Sequence, residues 1–132
     1  EIRTHMSDRV SIGESFKMDY RLIYYFAIIV VAQFVSWYQS NSIILGGWFK
    51  DNYLAIVVLL SPFVGLAFAY GTKMGYDVLG SLWAVRFSAF SIGYLVFSVL
   101  AWAHLGENPF SPKNIVTSIL CFAILGIQIF WK

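Results

Sequence analysis

The sequence predicts an all-α integral membrane protein, a bundle of four membrane-crossing helices with both termini cytoplasmic. Hydrophobic residues make up 59% of the 132-residue chain and charged residues only 12%, at a mean hydropathy of +0.71. A soluble domain carries roughly 25% charged residues to keep its surface wetted. Four apolar stretches approach the ~20 residues that a helix needs to cross about 30 Å of hydrocarbon. Apolar residues lie all round those stretches rather than at every second position. That excludes a barrel and leaves the helix as the way to satisfy the backbone in lipid.

Residues 1–20 differ in composition and are expected to form a cytoplasmic tail ahead of a transmembrane domain over 21–132. Residues 1–5, EIRTH, read as vector-derived, because His-Met is a common cloning junction, so the natural start is expected at Met6. Ile12, Phe16 and Tyr20 recur every four residues, with Lys17 and Arg21 directly after the last two, the pattern of a short interfacial helix; a disordered tail is the alternative. The first span runs from about Leu22 to Leu45, the second from Tyr53 to Tyr70, the third from Leu82 to Ala103 and the fourth from Ile115 to Trp131. The segments GGWFKDN, GTKMGYDVLG and HLGENPFSPKN between them read as short connections. Pro62 is expected to kink the second span. The pairs Ser61/Gly65, Ala67/Gly71 and Ala89/Gly93 are small residues at the spacing that lets membrane helices approach closely.

Basic residues set the orientation. Arg3, Arg9, Lys17 and Arg21 precede the first span, and Lys73 and Lys132 fall on the same side, against Lys50 and Lys113 on the other. Trp48 and Trp102 then sit at the outer interface and Trp131 at the inner one. The net charge of +2 is too small to suggest a nucleic-acid partner. The single cysteine, Cys121, excludes an internal disulfide. HExxH, GxSxG and glycine-rich phosphate loops are missing from the sequence, His104 reads as a loop residue, and Asp51, Asp77 and Glu107 fall in connections. The chain is therefore not expected to be an enzyme or to hold a metal or cofactor.

What remains is polarity inside the spans. Gln33, Ser36, Ser40 and Asn41 share one face of the first span, with Trp37 beside them. At 1.5 Å per residue Gln33 lies about 17 Å beyond Leu22, close to the midplane. An amide there must face protein or a water-filled cavity; interhelical packing and a substrate cavity are equal alternatives. Arg86 is the one charge in a predicted membrane segment. It either lines a cavity, where its planar donors suit a phosphate or carboxylate, or snorkels to the headgroups. Trp83, Arg86, Ala89, Phe90 and Gly93 form one stripe.

The stretch FSIGYLVFSVLAWAHLGENPFSPKNIVTSILCFAILGIQIFW has a mid-span glycine (Gly93), a tryptophan near the span end (Trp102), a Gly106-Glu107 turn, Ser-Pro-Lys and an apolar helix. It resembles the third-to-fourth helix unit of the small multidrug resistance proteins, in the drug/metabolite transporter superfamily. GENPFSPKN is especially similar to the turn of four-helix subunits that flip aminoarabinose-modified undecaprenyl phosphate. The resemblance covers about a third of the chain well, and the first half by helix count only. Departures accompany it. Gln33 stands where multidrug members carry their essential glutamate, Arg86 lies near a substrate-contacting aromatic position, and Val116-Thr117-Ser118 lacks a glycine. An acid lost and a base gained turn the expected preference from cations to anions. The resemblance implies a transporter or lipid-flippase subunit in the bacterial inner membrane, working as a homodimer or a heterodimer with another four-helix subunit. Its amphiphilic substrate would have an anionic head, such as a polyprenyl phosphate, lie against Gln33, Ser36, Trp37, Ser40, Arg86, Phe90 and Gly93, and move by alternating access without internal proton coupling. A non-transport membrane subunit that anchors a partner protein is the alternative, and a small oligomeric channel ranks behind both.

Overall fold

The computed structural model describes residues 2–131, with side chains described for residues 20–131. It is helical throughout: α1 (Ile2–Asn41), a single turn α2 (Trp48–Asp51), α3 (Tyr53–Leu79), α4 (Leu82–Leu105) and α5 (Pro112–Phe130). Four segments are long and apolar enough to cross a membrane: Tyr20–Asn41 within α1, then α3, α4 and α5. This is the organisation of a multi-pass membrane protein. The helix of α1 continues back to Ile2. The tail or interfacial-helix reading of residues 1–19 rests on side chains that lie outside the described residues.

α1 packs against both α3 and α4, which also meet each other, while α5 packs on α4. α1 runs antiparallel to α3 and parallel to α4. Facing pairs set the first register: Tyr25 with Gly75, Ile29 with Gly71, and Gln39 with Ser61. They set the second as well: Tyr25 with Val85 and Ser88, Gln33 with Ala89, and Tyr38 with His104. Between membrane helices there is no hydrophobic drive, so contact depends on close packing and hydrogen bonds. Both are concentrated on α1. Tyr25, Ile29, Val85 and Ile92 form one buried cluster, and Trp37, Leu45 and Leu100 form another.

Three boundaries correct the sequence reading. GTKMGYDVLG is not a connection: α3 runs through it to Leu79. Its glycines are packing notches rather than turn residues, because a Cβ at Gly71 would stand 2.8 Å from Ile29 Cδ1 and one at Gly75 would collide with the Tyr25 ring. The true connection is Gly80-Ser81. Gly80 closes α3 at φ 69° and Ser81 caps α4 by accepting from the Ala84 N–H at 3.4 Å. The first span stops at Asn41, whose side chain donates to Trp37 O at 2.8 Å, rather than at Leu45. His104 lies in the last turn of α4, not in a loop. Pro62 stays inside a continuous α3, where Ser61 Oγ bonds Val57 O at 2.6 Å.

The notch at Gly75 makes a sharp expectation. Gly75→Ala drives a methyl group into Tyr25, whose hydroxyl is tied to Ser88, and should destabilise by about 1–3 kcal/mol. Gly65→Ala in the same helix has nothing within 4 Å of its new Cβ and should melt like the wild type. Thermal unfolding of both variants in detergent checks the pair.

Candidate functional site

A cavity of about 400 Å³ opens where α1, α3 and α4 converge, near the Gly80-Ser81 end. The tight turn holds α3 and α4 together at that end, and Ile29 and Gln33 of α1 form the floor between them. Phe68 and Thr72 line it from α3, and Leu82, Val85, Arg86, Ala89 and Phe90 from α4. Leu82 and Phe90 are 60% and 62% exposed, so the lips of this groove face outward from the bundle. Most of the wall is apolar. The polar contributors are the Gln33 amide, the Thr72 hydroxyl and the Arg86 guanidinium.

Three of the seven residues singled out from the sequence thus come together: Gln33, Arg86 and Phe90. Gln33 is half-buried, and its Nε2 donates to Ala89 O at 3.0 Å, so it both ties α1 to α4 and ends the groove. Gly93 makes room for that amide, since a Cβ there would stand 2.7 Å from Gln33 Nε2. It supports the site rather than lining it. Trp37 is buried one turn further along α1, stacked on His104. Ser36 is half-buried and Ser40 exposed, and neither lines the cavity. Helical periodicity places these residues on one arc of α1; it does not say which neighbour covers that arc.

Arg86 occupies the second turn of α4 and combines the two alternatives posed by the sequence. It lines the cavity and is also exposed. On its other side it borders a shallow hollow with Leu82 and Trp83, next to the stacked Trp83–Phe87 pair with ring centroids 5.8 Å apart. Among the described residues no carboxylate pairs with Arg86, and no acid lines the cavity. No group of three His, Cys, Asp or Glu gathers there at metal-binding geometry either. The arrangement offers one fixed positive charge, an amide and a hydroxyl at the mouth of an apolar groove.

Sequence reasoning missed Thr72, because the glycines around it look like a turn. It also missed the interhelical hydrogen bonds of two tyrosine hydroxyls. Tyr25 Oη lies 2.7 Å from Ser88 Oγ and donates to Val85 O at 3.1 Å, buried behind the cavity. Tyr38 Oη meets His104 Nε2 at 2.6 Å. In the run LIYYFAIIVV nothing distinguishes a hydrogen-bonded tyrosine from one facing lipid. Compared with known proteins, the chain matches no family profile, no curated sequence and no solved structure.

The fit of Gln33 over Gly93 predicts coupling between them. Gln33→Leu removes one interhelical hydrogen bond, worth about 0.6 kcal/mol on average in membrane proteins and at most about 1.7, and should leave the chain folded. Gly93→Ala should cost about 1–3 kcal/mol by displacing the amide. Gln33→Ala in the same chain should recover part of that loss, a non-additivity that a double-mutant cycle of melting temperatures in detergent would read directly.

Proposed function

We propose that this chain is a subunit of a small transporter or lipid flippase that moves an amphiphile with an anionic head by alternating access. The observation that carries the reading is the position of Arg86, a cation without a carboxylate partner among the described residues, which lines the same apolar groove as the Thr72 hydroxyl near the Gly80-Ser81 end of the bundle. A phosphate or carboxylate head satisfies the guanidinium with paired, charge-assisted hydrogen bonds. The exposed lips at Leu82 and Phe90 give the tail a lateral path to lipid. The Gln33 amide cannot titrate and no acid among the described residues lines the groove, which disfavours proton-coupled export of cations. The resemblance of the Phe90–Trp131 stretch to the small multidrug resistance proteins and their lipid-flipping relatives supports the same class. A polyprenyl phosphate is the leading substrate.

With both termini cytoplasmic, the groove and Arg86 open near the cytoplasmic face, in keeping with the basic residues Arg21 and Lys73 at that end. The setting we propose is the bacterial inner membrane, with a second four-helix subunit completing the transport path. The outward face of α5 also favours a competing reading, a membrane subunit that assembles with a partner chain, since only 6% of its apolar window is buried.

Arg86 separates these readings. Arg86→Lys exchanges a forked donor for a point charge. It should weaken binding of polyprenyl phosphate to detergent-purified protein about tenfold, the equivalent of losing one charge-assisted hydrogen bond at about 1.5 kcal/mol. Arg86→Gln should abolish binding without lowering the melting temperature. Equal affinity across wild type and both variants would remove the anion site and favour the assembly reading. The orientation has its own check in single-cysteine labelling of intact cells. Asn52→Cys should react only from outside and Tyr76→Cys only from the cytoplasm, and labelling of Asn52→Cys from both faces would overturn the single orientation.

A further inference from the structure

At the end of the molecule that carries α2, the seam between α1 and α4 is shut by aromatic contacts, and the cavity stops short of it. Tyr38 Oη and His104 Nε2 lie 2.6 Å apart. The Trp37 indole stacks on the His104 imidazole with centroids 5.4 Å apart and planes at 23°. Tyr38 and Phe49 meet the same imidazole edge-on at 5.4 and 6.5 Å. Trp37, Leu45 and Leu100 are buried together behind this contact. Gln33, which ends the cavity, is one helical turn from Trp37, so the cluster stands between the cavity and the α2 face.

The closure leaves a polar group unmet. Trp37 is only 5% exposed, and its indole N–H has no hydrogen-bond partner among the described residues. Burying a donor without a partner opposes the packing that buries it. What holds the end shut against this is a hydrogen bond, a stack on an imidazole that is itself exposed, and the small buried cluster of Trp37, Leu45 and Leu100. An arrangement with a built-in opposing term and few fastenings suits a two-position element better than a permanent seam.

We propose that Trp37, Tyr38 and His104 form the gate between the α2 face and the Arg86 cavity, a proposal that rests on the transport reading above and names the device that controls the same site. When α1 and α4 part at this end, the Tyr38–His104 bond breaks and the Trp37 N–H reaches water. When they close, water reaches the cavity only from the Gly80-Ser81 end.

Access measurements on the full chain in sealed vesicles test it. Cys121 is the single native cysteine, so Thr72→Cys in a Cys121→Ala background places the only thiol in the cavity. A charged, membrane-impermeant maleimide should label it from the Gly80-Ser81 face and hardly at all from the α2 face. His104→Ala, and separately Tyr38→Phe, which keeps the ring and removes only the hydroxyl, should raise the rate from the α2 face severalfold with the melting temperature recorded alongside. Two outcomes would overturn the gate: an unchanged α2-face rate in Tyr38→Phe and His104→Ala, or equal labelling from both faces before any substitution. The readout is access and not binding, so failure of the anionic-amphiphile assay and failure of the gate are told apart.

Discussion

Inside hydrocarbon a polar group has no water to turn to, and one apolar helix has no solvent-driven reason to prefer another helix over lipid. Association must come from close contact and from hydrogen bonds that cross between helices. In this chain α1 supplies most of both. Its large side chains Tyr25, Ile29 and Gln33 enter notches left by Gly75, Gly71 and Gly93. Its polar tips reach Ser88, Ala89 O, Ser61 and His104 on the two neighbouring helices. The rest of the fold is organised around that helix, with α3 antiparallel on one side, α4 parallel on the other, and α5 appended to α4.

The cavity follows from the same arrangement. Gly80-Ser81 leaves α3 and α4 no slack at one end, and their glycine notches press each against α1 rather than against the other. The space between them over Ile29 and Gln33 is then filled by no side chain among the described residues. A charge is tolerated at its edge because Arg86 lies in the second turn of α4. There the exposed guanidinium stands at the rim of the groove and avoids the penalty of about 2.5–3.5 kcal/mol attached to an arginine at a helix centre.

Hydropathy made the four spans legible, and depth along the first span made Gln33 legible as a residue that needed a partner. The end of the second span was not legible. Gly71 and Gly75 are as natural in a turn as in a helix notch, and only the Tyr25 and Ile29 side chains opposite decide between the two. Arg86 could be recognised as anomalous, but whether it met a cavity or headgroups depended on the splay of α3 and α4, which no local pattern encodes. Ser36 and Ser40 entered the candidate set through periodicity alone. Periodicity orders residues around a helix and leaves unsaid where the neighbouring helices stand. The Tyr38–His104 contact was hidden for a related reason: the final turn of α4 reads as a loop, and a tyrosine in an apolar run reads as packing.

Counting polar residues in the spans would therefore mislead. Ser61, Ser98, Thr117 and Ser118 each return a hydroxyl to the carbonyl four residues earlier on their own helix, so they need no neighbour and report no site. An amide, a phenol or a guanidinium held away from its own backbone has no such escape and must be met by another element. Gln33, Gln39, Tyr25 and Tyr38 are met in that way. Arg86 is not, among the described residues, and it stands on the one cavity that also presents the Thr72 hydroxyl and the Gln33 amide. The fold satisfies its long polar side chains pair by pair along α1 and leaves a guanidinium over at the mouth of a groove open to lipid. That remainder is what the proposed anion site rests on, and Arg86 takes no part in the pairwise contacts that join α1 to its neighbours.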